Sequence, residues 1–119
     1  MILADTSVWI DHFRRGDPRL ADLLAASEVL VHPFVIGEIA LGHLKARSSI
    51  LASLGNLQSV AVATDSEVLA FISAAKLDGS GIGYLNAHLL ASVALTPDTR
   101  LWTRDRKLAS AAARLGLAV

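Results

Sequence analysis

Three acidic residues stand where apolar segments end or turn polar. Asp5 directly follows Ile2-Leu3-Ala4, Glu38 lies within Phe34-Val35-Ile36-Gly37-Glu38-Ile39-Ala40-Leu41, and Asp105 follows Leu101-Trp102-Thr103-Arg104. Each has a bland reading. Asp5 and Asp105 suit helix N-caps, where a carboxylate accepts from orphan backbone N–H groups. Glu38 can sit at the edge of an apolar helix face and reach out to water. Its neighbours at i−4, i−3 and i+3 are Phe34, Val35 and Leu41, however, which places it on or beside that face. A lone carboxylate buried there needs a cation, a partner or a raised pKa. The chain has no cysteine, and His12, His32, His43 and His88 show no zinc-ligand spacing, so they read as surface or helix-packing residues. Carboxylates that converge without thiolate or imidazole select hard, oxygen-preferring ions such as magnesium or manganese. Such an ion activates water and neutralises charge on a phosphodiester during in-line displacement. An aspartyl-phosphate mechanism at Asp5 is disfavoured, because the second acid it wants two residues later is Ser7.

The elements that must position these acids can be read from pattern and punctuation. Ile2 to Ala4 is a short apolar strand, and Thr6 or Ser7 caps a helix with Val8, Trp9, Ile10 and Phe13 on its apolar side. Asp17-Pro18 opens a helix to about Ser27, and Val29-Leu30-Val31 reads as a second strand. Pro33 opens a helix running from Phe34 to about Arg47, continued by a helical stretch from Ser48 to Leu57. Val60-Ala61-Val62 is a third strand candidate; Thr64 or Asp65 caps a helix to Leu77, broken by Asp78-Gly79-Ser80-Gly81. Tyr84 to Leu95 is helical, Leu101-Trp102-Thr103 is a strand, and Asp105 opens a last helix that Gly116 ends. Short apolar strands alternating with helices predict a three-layer α/β/α domain with a mostly parallel central sheet, spanning residues 1–119. Sites in such sheets form at the carboxyl ends of strands. Asp5 and Asp105 would both emerge there.

Composition constrains less. With 53% hydrophobic and 18% charged residues, the surface must carry apolar character, as in a chain that buries part of itself against a partner. The net charge of zero announces no nucleic-acid binder. Near the C-terminus, however, Arg100, Arg104, Arg106, Lys107 and Arg114 face only Asp105, a basic run that a solvated helix face would also give; Arg100, Arg104, Arg106 and Lys107, which flank Asp105, are candidates for contact with an RNA phosphate backbone. The absence of cysteine fits a reducing cytoplasm, and neither a signal segment nor a membrane span is expected.

In this order and spacing the motifs resemble the PIN-domain family, and specifically the VapC toxins of bacterial toxin–antitoxin pairs. The resemblance is carried by Ile2-Leu3-Ala4-Asp5-Thr6-Ser7-Val8-Trp9, Ile36-Gly37-Glu38-Ile39-Ala40-Leu41-Gly42, Gly81-Ile82-Gly83-Tyr84-Leu85-Asn86-Ala87-His88-Leu89-Leu90-Ala91 and Leu101-Trp102-Thr103-Arg104-Asp105. It implies an endoribonuclease dependent on magnesium or manganese, cutting transfer or ribosomal RNA to 5′-phosphate and 3′-hydroxyl ends. Asp5, Glu38 and Asp105 would be metal-binding acids, with Thr6 and Thr103 as supporting hydroxyls. It further implies a homodimer and a VapB antitoxin whose C-terminal segment wraps the toxin, in a groove near Trp9, Leu20, Leu23, Leu24 and Leu41.

One residue departs from the family pattern. Asn86 stands where an aspartate is expected, as the fourth member of the catalytic and metal-binding set. Asparagine keeps the shape and one acceptor oxygen but removes a charge and adds two donors. On its helix Asn86 shares a face with Leu89, Leu90 and Val93, so it is expected to point at the core. It reads as an inactivating change, introduced by design more than by drift, since an active RNA-cutting toxin harms the cell that makes it. A naturally impaired or retuned enzyme is the alternative origin for Asn86, and a non-catalytic module that only holds RNA or an antitoxin is the alternative function.

Overall fold

Strand β1 (Ile2–Ala4) lies at the centre of a parallel sheet, between β2 (Val29–Leu30) and β3 (Arg100–Trp102). In register, Leu3 faces Leu30 on one side and Leu101 on the other, and Leu3 and Ala4 are fully buried. A computed structural model describes all of residues 1–119. The sheet is widened by single parallel bridges, Val31 to Ser59 and Leu101 to Ala118. The segment after Gly116 thus rejoins the sheet, with Leu101 N–H donating to Leu117 O at 2.7 Å.

Seven helices cover both faces, giving the expected three-layer α/β/α arrangement: α1 (Thr6–Arg15), α2 (Pro18–Ala25), α3 (Pro33–Leu41), α4 (Arg47–Gly55), α5 (Asp65–Ala74), α6 (Tyr84–Leu95) and α7 (Arg106–Arg114). Helix α6 runs as the sequence predicts and is buried from Ala87 through Val93. Capping chemistry explains several boundaries. Asp17 accepts from Leu20 N–H ahead of Pro18, and Thr64 with Glu67 forms a reciprocal capping box on α5. The cap of α1 is Asp5 itself, not Thr6 or Ser7.

Other expectations are corrected. The helix expected to run from Phe34 to Arg47 stops at Leu41, and α4 starts separately after Ala46, whose φ is 52°. The Arg47 guanidinium folds back onto Ala40 O at 2.9 and 3.2 Å, satisfying a carbonyl at the end of α3. Helix α2 ends at Ala25 rather than Ser27, and α5 at Ala74 rather than Leu77. The third strand candidate, Val60-Ala61-Val62, makes a single ladder bond, Val60 N–H to Val31 O. After that its backbone turns to helix α6: Ala61 N–H donates to Thr96 Oγ1 at 3.0 Å and Ala63 N–H to the buried Ser92 Oγ at 3.1 Å. Side chains take the donors that a strand would have given to a neighbour.

Candidate active site

Because β1 and β3 are parallel, their carboxyl ends share one edge, and Asp5 N–H bonds Trp102 O across it at 2.8 Å. Asp5 is 7% exposed. Its Oδ1 accepts from Thr6 N–H at 2.7 Å and its Oδ2 from the Thr103 hydroxyl at 2.8 Å. The Thr103 hydroxyl in turn accepts from Asp105 N–H at 3.1 Å, and Asp105 Oδ1 caps α7 by accepting from Leu108 N–H at 3.0 Å. On the other side the Thr6 hydroxyl donates to Glu38 Oε1 at 3.0 Å. One chain of hydrogen bonds therefore links Glu38, Thr6, Asp5, Thr103 and Asp105, drawn from α3, α1 and the carboxyl ends of β1 and β3. Both supporting hydroxyls expected from sequence occupy it.

Both Asp5 and Asp105 cap helices, as their bland reading expects, and both lie past the carboxyl ends of neighbouring parallel strands. For Glu38 the sequence argument is overturned: its side chain is exposed, so burial imposes no demand for a cation. All ion pairs of the chain are made by Asp11, Asp17 and Asp65, so the nearly buried Asp5 has no cationic side chain beside it, nor do Glu38 and Asp105. Asn86 is half-buried in the first turn of α6 and does not join the chain of hydrogen bonds. No three acidic or histidine side chains approach closely enough to close around one ion.

That geometry fits magnesium or manganese better than it fits a cage-bound ion. Magnesium keeps several waters and is bound through one or two carboxylates plus substrate oxygens, not by an all-protein shell. The donor set is purely oxygen, and each Asp5 oxygen retains acceptor capacity after one hydrogen bond.

The basic residues are distributed differently from expectation. Arg100 begins β3 and so lies at the opposite edge, with its guanidinium on Gly116 O and Ala118 O at 2.9 and 3.3 Å. It braces the C-terminal segment and is not at the site. Arg104 is pinned by Asp11 at 2.7 Å and Asp17 at 3.0 Å, and its guanidinium lies over Trp102 at 5.8 Å. The Asp17 carboxyl is held below its usual range, first by Leu20 N–H and also by Arg104. Arg106 and Lys107 are exposed and free of acids. Arg19, which the sequence did not single out, also places its guanidinium over the Trp102 ring, at 4.9 Å. Its position directly after Pro18 carries no sequence signal for that contact.

The apolar groove is also redrawn. Leu20 is fully buried core, and Leu41 is 91% exposed on the far end of α3. A cavity of about 270 Å³ lies instead between α1, α2 and α4, lined by Trp9, Phe13, Leu24, Ile50, Leu54 and Leu57 among others. No helix is long and apolar enough to cross a membrane.

Comparison with known proteins is consistent with this architecture. The family model of the PIN domain matches residues 2–114. The chain is 49% identical over 119 residues to "Ribonuclease VapC32" of Mycobacterium tuberculosis, covering 100% of this chain and 96% of that protein, and matches it equally in two strains.

Proposed function

This chain belongs to the PIN-domain family, and from that premise we propose that it is a VapC-type endoribonuclease toxin dependent on magnesium or manganese. The observation that carries the reading is Asp5: a carboxylate 7% exposed, at the carboxyl edge of a parallel sheet, fixed by two donors and left without a cation. Asp5, Glu38 and Asp105, with Asn86 as a neutral fourth member, would hold the ion, directly or through its waters. A bound divalent ion would supply an activated water and offset charge on the phosphodiester.

The protein's own part is orientation. Thr6 N–H and the Thr103 hydroxyl hold the Asp5 carboxylate in one rotamer, and the Thr6 hydroxyl steers Glu38 toward the same edge. Hydrolysis adds the water oxygen to phosphorus and breaks the bond to O3′. The products are a 5′-phosphate and a 3′-hydroxyl, the oxygen of which takes up a proton. Transfer RNA or another structured RNA is the proposed substrate, in the cytoplasm, with the chain acting as a homodimer. The groove between α1, α2 and α4 is the proposed seat of an apolar segment of a VapB antitoxin.

Asn86 removes one charge from this set, so the chain as it stands is proposed to be impaired. Cleavage of total RNA in manganese distinguishes the outcomes. The Asn86→Asp variant is expected to cut roughly 100-fold faster than the parent, the scale on which one electrostatic contact to developing charge weighs. Adding Asp5→Ala to that variant should abolish cutting. The lack of a three-acid cluster favours a second reading, a non-catalytic RNA- or antitoxin-binding module. An Asn86→Asp chain that stays inert while still binding RNA would establish it and overturn the nuclease.

A further inference from the structure

We propose that a basic pocket between α7 and the loop after α5 is a subsite for a phosphodiester of the RNA strand, separate from the phosphate that is cleaved. The inference rests on the ribonuclease reading for its ligand, but its residues lie outside the acidic edge. The pocket has a volume of about 350 Å³ and is lined by Ser80, Arg106, Lys107, Ser110, Ala111 and Arg114. Its walls hold cations, hydroxyls and one methyl group, with no acid and no aromatic ring.

The charge arrangement is the first argument. Of the arginines and lysines, only Arg15 and Arg104 are paired with acids in this structure, and of the unpaired cations Arg106, Lys107 and Arg114 gather in one pocket. The chain's positive and negative side chains are equal in number, so this gathering is not the result of general basicity. Residues 106, 107, 110, 111 and 114 fall on one face of α7, and Arg106 and Lys107 stand in its first turn, where the helix dipole disfavours cations. An anion in the pocket reverses that cost.

Pre-arrangement is the second. Arg114 Nη2 donates to Ala75 O at 2.8 Å and Lys76 O at 3.4 Å, beyond the last turn of α5. That fixes the guanidinium plane while its remaining donors stay available. Lys107 lies against the bare backbone of Gly81, whose φ is +83°, and a Cβ there would sit 3.1 Å from both Lys107 Nζ and Cδ. Glycine at 81 therefore makes room for the ammonium to rest against the loop instead of ranging through solvent. Both cations are positioned by backbone.

Location is the third. Arg106 follows Asp105 directly, and from Arg106 to Arg114 the helix rises about 12 Å. A strand whose scissile phosphate lies at the acidic edge would carry a neighbouring phosphate into this pocket. With no aromatic or amide side chain in its walls, the pocket would hold the backbone and not read bases.

The test uses a fluorescently labelled single-stranded RNA, the parent chain and EDTA, so that binding is read without cleavage. Arg106→Glu combined with Lys107→Glu should weaken binding about tenfold or more, and should reduce the slope of log K against log salt by about 1 for each phosphate the pocket ceases to neutralise. Lys45→Glu, an equal change of sign per residue outside the pocket, should have a far smaller effect. Gly81→Ala keeps every charge and should weaken binding by displacing Lys107; circular dichroism melts would confirm that it is folded. In the Asn86→Asp background the pocket variants should raise KM more than they lower kcat. An unchanged Kd and salt slope in the double variant, or no measurable binding by the parent, would overturn the subsite. Loss of binding in that variant, with an Asn86→Asp chain that never cuts, would keep the subsite and sink the nuclease.

Discussion

At the scale of single residues, Thr103 has the most connected hydroxyl of the site: it donates to Asp5 Oδ2 and accepts from Asp105 N–H. Replacing it by valine keeps the volume and removes both bonds. Hydrogen bonds to charged groups contribute about 1.5–3 kcal/mol, and Asp5 is nearly buried. Thr103→Val should therefore lower unfolding stability by about 2 kcal/mol in urea at neutral pH, while Thr103→Ser stays close to the parent. Equal stability of the valine and serine variants would remove Thr103 from its bracing role. At this scale the residues differ in how much of their role is local. Asp5 and Asp105 could be found because each directly ends a strand-to-helix turn, and that is a local fact. The helical neighbours of Glu38 are apolar, yet Glu38 is exposed, and its tie to Thr6 joins residues 32 apart in the chain. Pinning of Arg104 by Asp11 and Asp17, and bracing of the C-terminal segment by Arg100, depend on tertiary placement in the same way.

At the scale of elements, caps and breakers were legible because their chemistry is local. Asp17-Pro18, the Thr64–Glu67 box and Gly116 act within a few residues of themselves. The false strand at Val60–Val62 and the fused α3–α4 helix failed for the opposite reason, since distant side chains on α6 and Arg47 decide them. Helix α3 carries a further consequence in its cap. His32 is fully buried, and its Nδ1 accepts from Phe34 N–H at 3.0 Å, so the ring must be neutral at that nitrogen. Its Nε2, like Nδ1 of the buried His88, has no partner. Burial first, and the charge of His88 second, push the His32 pKa down from 6.5 to about 4. The unfolded chain thus binds the extra proton between pH 6.5 and about 4. This contribution is complete above pH 6.5 and is lost as pH falls toward 4, amounting to at most about 3 kcal/mol. His32→Asn, which keeps a short capping acceptor, should show a shallower loss of stability than the parent between about pH 7 and 4.5 in urea titrations. Parallel pH profiles for the two would show that the cap does not depend on the protonation of His32.

For the whole molecule, net charge and composition concealed what the fold separates. A chain of zero net charge gathers Asp5, Glu38 and Asp105 around one sheet edge and three unpaired cations along α7. The high apolar fraction goes partly to exposed groups such as Leu41 and Leu69, and partly to the α1–α2–α4 groove. The parallel topology that joins Asp5 to Thr103 follows from alternating strands and helices, so it was readable; the hydroxyl-linked spacing of the acids was not, because it depends on rotamers. That spacing sets the last prediction. An ion that binds only the folded chain stabilises it by about 2.7 kcal/mol at roughly one hundred times its Kd. For a domain of this size that corresponds to roughly 10 °C in Tm. Asn86→Asp adds a negative charge to the proposed ion-binding set, so manganese should raise its Tm by several degrees at concentrations that barely move the parent. Asp5→Ala in the same background should abolish the shift, because the edge loses the one carboxylate that is both buried and without a cation. Magnesium should act in the same direction at higher concentration, as its waters are given up more reluctantly. An equal manganese shift in the parent and in Asn86→Asp would mean that position 86 lies outside the ion's reach, and the impairment assigned to Asn86 would have to be withdrawn.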